Sequence, residues 1–68
     1  MDINQTLYLQ VEVANEYMRQ RGIAPPEFVE LDRKYGILHF LEVGYEIFHL
    51  TGTQGIIEEI DDYLRRRI

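Results

Sequence analysis

Leu7-Tyr8-Leu9-Gln10-Val11-Glu12-Val13, the stretch LYLQVEV, alternates apolar and polar side chains almost without error. Strict alternation marks a half-buried strand, yet the flanking sequence follows the helical period. A strand here would need a partner, and no other segment alternates in this way; a lone strand leaves its own backbone groups unpaired. As a helix the segment extends naturally. Ile3, Leu7, Val11, Ala14 and Met18 form one continuous row, and the valines lower helix propensity only slightly. The stretch is therefore read as helix, from about Ile3 to Arg21. A second apolar row remains, made of Leu9, Val13 and Tyr17, well round the cylinder from the first. Such a helix is either clasped between other helices or faces another molecule.

Glycines divide the rest of the chain. Gly22, Gly36 and Gly52 each stand where a helix C-cap is expected. A short second helix starts at Pro25-Pro26, residues suited to a first turn whose amides are unpaired, and carries Phe28, Leu31 and Tyr35. A third runs from Ile37 to about Leu50, with Ile37, Phe40, Leu41, Gly44, Tyr45 and Phe48 on one face and His39, Glu42 and Glu46 opposite. A fourth starts near Thr53, a suitable N-cap, and presents Ile56, Ile57, Ile60, Leu64 and Ile68 as one stripe. Its acidic residues come early and Arg65-Arg66-Arg67 last, the order a helix dipole favours, with Asp61–Arg65 and Asp62–Arg66 at i, i+4 spacing. The expectation is one all-α domain over residues 1–68, a small bundle of four helices with the second short. Its predicted core is Leu7, Val11, Met18, Phe28, Leu31, Phe40, Leu41, Phe48, Ile56, Ile60 and Leu64.

Composition narrows function. Seven basic against twelve acidic residues give a net charge of −5, which disfavours autonomous nucleic-acid binding because phosphates attract a basic face. The lack of cysteine removes disulfides, thiolate zinc sites and thiol nucleophiles. No signal peptide pattern and no membrane-length apolar run is visible, so a soluble, cytoplasmic protein is expected. At 46% hydrophobic residues the chain is too apolar for a disordered acidic tail.

No motif carries a catalytic set. His39, Glu42 and Glu46 share a face but supply one histidine and two carboxylates, short of a convincing metal site and better read as a solvated face. His49 has no accompanying nucleophile pattern and is read as a packed histidine that bonds a backbone group or favours the helix C-terminus. Thr51-Gly52-Thr53-Gln54-Gly55 suggests a phosphate cradle but lacks the lysine and spacing of a P-loop, and reads as an interhelical turn. The expectation is no enzyme, no catalytic residue, no metal and no cofactor.

Lys34-Tyr35-Gly36, then Tyr45-Glu46-Ile47-Phe48-His49-Leu50-Thr51-Gly52, then Ile57-Glu58-Glu59-Ile60-Asp61-Asp62-Tyr63-Leu64 follow one another in an order and spacing that carry a resemblance. Over about residues 7–65 the chain resembles the short bacterial family called domain of unknown function 3791. Two features depart from that pattern: Leu50 stands between His49 and Thr51, and Pro25-Pro26 replaces a polar start to the second helix. The resemblance implies a small intracellular protein without assigned enzymatic activity, from genes that stand beside one resembling an ADP-ribosyltransferase-type toxin. It thus implies an antitoxin-like partner of a toxin encoded nearby. On this reading Leu9, Val13 and Tyr17 are the expected partner contacts, with the acidic face Glu58, Glu59 and Asp62 as a second candidate. The alternatives are a small homodimeric scaffold, using the same apolar row, and a helix-turn-helix DNA-binding regulator built from the third and fourth segments.

Overall fold

The computed structural model of the chain describes residues 3–67, all but the loops of which are helical. Five helices follow one another: α1 (Ile3–Arg21), α2 (Pro25–Tyr35), α3 (Ile37–Val43), α4 (Tyr45–Phe48) and α5 (Thr53–Arg67). LYLQVEV lies inside α1, as the missing strand partner requires. The third expected helix is two, so the four-helix count is corrected to five among the described residues. The division falls at Gly44, whose φ of −90° and ψ of 9° leave the helical region. A Cβ at Gly44 would come within 2.4 Å of the Phe48 ring. Packing that ring against bare backbone is what bends the chain here.

Local chemistry explains the other boundaries. Gly22 takes a left-handed φ of 64°, and the Ile23 amide donates back to the Met18 carbonyl at 3.1 Å, closing α1 with a Schellman turn. Gly36, at φ 69°, ends α2 through its amide's bond to the Asp32 carbonyl at 2.7 Å. The Asp32 carboxylate then accepts from the Leu38 amide at 2.7 Å, so one residue ends α2 and caps α3. At the start of α2 the Glu27 carboxylate accepts from the Ala24 amide at 3.0 Å, one half of a capping box. Gly52 does not have the left-handed conformation expected of a C-cap. Its carbonyl accepts from the Ile56 amide, so it stands just before α5 and Thr53 is the first helical residue.

The core centres on Ile37 and Leu41 of α3 and Ile57 and Ile60 of α5, which are fully enclosed, with Phe28, Phe48, Ile56 and Leu64 around them. Phe40 stacks on Tyr63 with ring centroids 4.1 Å apart, and tilts against Phe48 at 5.3 Å. Helix α1 corrects the expected phase. Val13 and Tyr17 are buried, at 1% and 5% exposure, and Ala14 with them, whereas Leu7 and Val11 are 53% and 56% exposed. The second row is the inward one, joined by Ala14 of the first, while Leu9 and Met18 are half-buried at the edges. Leu31 and Phe40, also placed in the core, are half-buried at its rim. The stripe residue Ile68 and the side chain of Ile3 lie outside the described residues.

Polar groups hold the chosen phase. The Gln10 side-chain amide donates to the Leu38 carbonyl at 2.8 Å, tying α1 to α3, and Gln20 donates to Gln54 at 2.8 Å, tying α1 to α5. Tyr17 packs edge-on against Phe28 at 6.1 Å, and Arg21 lies 5.5 Å over the Tyr17 ring while pairing with Asp61. Burial raises the Tyr17 phenol above its ordinary pKa. Asp61 thus bonds across to α1 and not to Arg65 as its spacing suggested. Asp62 takes both Arg65 at 3.2 Å and Arg66 at 2.9 Å.

Candidate protein-binding surfaces

Three surfaces follow from this packing. The first is the outward side of α1. Leu7 and Val11 are one turn apart, and Tyr8, at 79% exposure, sits three residues before Val11. These three side chains make one apolar and aromatic patch, rimmed by the exposed Asn4 and Asn15. An apolar centre with a polar rim is the usual anatomy of a protein-binding surface. The expected contacts Val13 and Tyr17 are inside the fold, and a buried side chain has no surface to offer. Accessibility moves from Leu9, Val13 and Tyr17 to Leu7, Tyr8 and Val11.

The second surface is the acidic side of α5. Glu58 and Glu59 are exposed, and among the described residues no basic side chain is paired with either. Asp62 is half-buried and its charge is offset by two arginines. The three residues therefore differ in what they present: two open carboxylates and one already paired.

The third is a polar groove of about 560 Å³ between α1 and the start of α5, lined by Glu12, Asn15, Glu16, Arg19, Gln20, Thr53 and Gln54. Here the Arg19 guanidinium and the Gln20 amide bond the Glu16 carboxylate and hold its pKa at about 2. With Glu16 and Arg19 matched to each other, the groove presents hydrogen-bonding groups and one further carboxylate, the exposed Glu12.

The histidines are peripheral. His39 Nδ1 lies 3.6 Å from Glu42 on the exposed side of α3. His49, expected on the apolar side, is instead exposed. It donates from Nδ1 to the Tyr45 carbonyl at 2.9 Å and stacks on the Tyr45 ring at 5.0 Å, so its bond to backbone is as expected. Among the described residues no three His, Cys, Asp or Glu side chains could hold a metal ion together. No helix among them is long and apolar enough to cross a membrane.

Over residues 9–67 the chain matches the model of a family described as protein of unknown function, DUF3791. The chain belongs to this family. No curated protein and no solved structure matches it.

In this DUF3791 protein the residues that carried the resemblance have structural work. Lys34-Tyr35-Gly36 is the α2–α3 turn, and the Tyr63 hydroxyl from the last motif donates to the Tyr35 carbonyl beside it. Tyr45 begins the short α4 and His49 caps its end, and the Tyr45 hydroxyl donates to Gln5 at 3.1 Å, fastening α4 to α1. The Thr51 hydroxyl donates to the Ile47 carbonyl at 3.1 Å, closing the turn before Gly52. Sequence reasoning noticed the motifs but not that two of their tyrosines reach across the fold. A tyrosine's spacing does not reveal where its hydroxyl ends.

Proposed function

We propose that this protein is a small protein-binding module, the antitoxin-like partner that binds and neutralises a larger toxin, one of ADP-ribosyltransferase type. The observation that carries the reading is the apolar patch of Leu7, Tyr8 and Val11 left outside a core that is otherwise complete. Tyrosine suits such a role because it buries a large ring while keeping a polar tip, and small apolar anchors around it exclude water. The motif residues support the same reading, since they are spent on turns and helix contacts. Glu58 and Glu59 offer a second contact by attracting the basic margin of a nucleotide-binding cleft. The DNA-binding alternative has less support, because these carboxylates stand on the helix that would have to approach phosphates.

The test is co-expression with the product of the neighbouring gene. The wild-type chain is expected to co-purify with it and to relieve its toxicity. A Leu7→Ser/Val11→Ser variant, folded by circular dichroism, is expected to lose both. Retention of full binding and rescue by that variant refutes the patch as the contact. If light scattering instead shows the isolated wild type as a dimer and the variant as a monomer, the patch joins two copies and the homodimeric scaffold replaces the antitoxin reading.

A further inference from the structure

We propose that the polar groove between α1 and the start of α5 seats an arginine side chain of the protein partner that covers Leu7, Tyr8 and Val11; the inference rests on the reading of that patch as the partner contact. The groove encloses about 560 Å³, room for a whole side chain. It already holds one guanidinium, since Arg19 Nε donates to Glu16 Oε2 at 3.0 Å. Gln20 donates to Glu16 at 3.2 Å and to Gln54 at 2.8 Å, so these groups are engaged. Glu12, one turn before Glu16, offers the same carboxylate without a cation. Its side chain and those of Asn15 and Thr53 make no hydrogen bond or ion pair among the described residues. A carboxylate, an amide carbonyl and a hydroxyl therefore stand open along one cavity, and its single unbalanced charge is negative.

Charge selects a cation, and the spread of the acceptors selects a guanidinium. An ammonium is a compact, strongly hydrated point charge, whereas a guanidinium carries five N–H donors in a planar fork and can meet acceptors on both walls at once. Position ties the groove to the patch. Glu12 follows Val11 in the unbroken α1 and stands one turn after Tyr8, and Asn15 is both rim of the patch and wall of the groove. A partner residue next to an anchor on Val11 therefore needs only a long side chain to reach Glu12. A second copy of this chain has no free guanidinium to bring. Among the described residues Arg19, Arg21, Arg33, Arg65 and Arg66 are in ion pairs, and Arg67 lies 3.7 Å over the Tyr63 ring.

The test titrates the full nitrogen-15-labelled chain with N-acetyl-arginine methylamide at matched ionic strength, beside the lysine and citrulline counterparts, and follows the amide chemical shifts. Saturable shifts are expected at Glu12, Asn15 and Thr53, with a dissociation constant of about 10 mM, the strength of an exposed charge pair with added hydrogen bonds. Citrulline keeps the shape without the charge and should give none, and the lysine probe should bind about threefold more weakly. Glu12→Gln should weaken the arginine probe severalfold. Glu58→Gln changes net charge equally but outside the groove, and should leave binding within about twofold, as should Leu7→Ser/Val11→Ser. All these positions are exposed, so the variants keep the fold, which the same spectra check. Absence of saturable shifts overturns the proposal. So does equal binding of either counterpart, undiminished binding by Glu12→Gln, or equal weakening by Glu58→Gln, which means diffuse charge attraction. The two readings fail separately. Capture of the neighbouring-gene product without probe binding removes only the groove, whereas probe binding by a chain that captures no such product removes the antitoxin and keeps the guanidinium site.

Discussion

Replacing Val13 and Val11 by alanine, one at a time, separates the two possible phases of α1 more cleanly than any other perturbation. Both changes remove the same atoms from the same helix, so the gain in helix propensity from valine to alanine is common and cancels in the difference. What remains is burial. Two carbon groups at about 0.8 kcal/mol each make about 1.6 kcal/mol for full burial. Val13 is 1% exposed and loses nearly all of it, whereas Val11, at 56% exposed, loses less than half. The transfer difference is thus about 0.9 kcal/mol. Val13 also leaves a cavity enclosed by neighbours on several sides, which adds about 1 kcal/mol, while the gap at Val11 fills with water. Val13→Ala should therefore be about 2 kcal/mol less stable than Val11→Ala. For a domain of this size that is a melting-temperature gap of about 10 °C. Thermal unfolding followed by circular dichroism at 222 nm, backed by urea titration, measures it. Equal melting temperatures, or a lower one for Val11→Ala, refute the packing described for α1.

Gly44→Ala should destabilise the protein by about 1–3 kcal/mol, because a Cβ 2.4 Å from the buried Phe48 ring forces that ring to shift; a Phe48→Leu background, by removing the ring, should reduce the loss in a double-mutant cycle. Asp32→Ala should cost about 1 kcal/mol by leaving the first turn of α3 uncapped, measured by urea unfolding, whereas an unchanged midpoint would mean the Leu38 amide finds another acceptor. The Glu16 carboxylate, held at about 2 by Arg19 and Gln20 against an ordinary value of 4.5, favours the folded state above pH 4.5 and loses that contribution as the pH falls towards 2. In Arg19→Ala its titration, followed by carboxyl carbon NMR, should move up towards the ordinary value; a curve that stays near pH 2 would assign the shift to another cause.

The candidate surfaces were only partly legible in the sequence. The acidic residues of the last helix could be named because charged side chains are solvated wherever they stand. That Asp62 is already matched by Arg65 and Arg66 while Glu58 and Glu59 are not depends on rotamers. Two apolar rows on α1 were visible, but Leu7 and Val11 of the exposed patch were expected in the core, and Tyr8 belonged to neither row. The exposure of Val43, Ile47 and Leu50 agrees with the period of the third segment, whose stripe of Ile37, Phe40, Leu41, Gly44, Tyr45 and Phe48 leaves all three aside.

The sequence by itself determined that this chain is helical, where α1 and α2 stop, and which stripe of α5 faces inward. These follow from local causes: no second alternating segment to pair with LYLQVEV, glycines able to take left-handed conformations at 22 and 36, and a single apolar stripe on α5 opposed by charge. The phase of α1 and the break at Gly44 were decided only in the tertiary structure. Period fixes the spacing of a row and not its direction, and α1 carries two rows of comparable apolarity. The inward one was chosen where Gln10 meets the Leu38 carbonyl, Gln20 meets Gln54 and Tyr17 meets Phe28, contacts between residues far apart in the chain. The break at Gly44 follows likewise from a ring that has to lie on the backbone for the core to close.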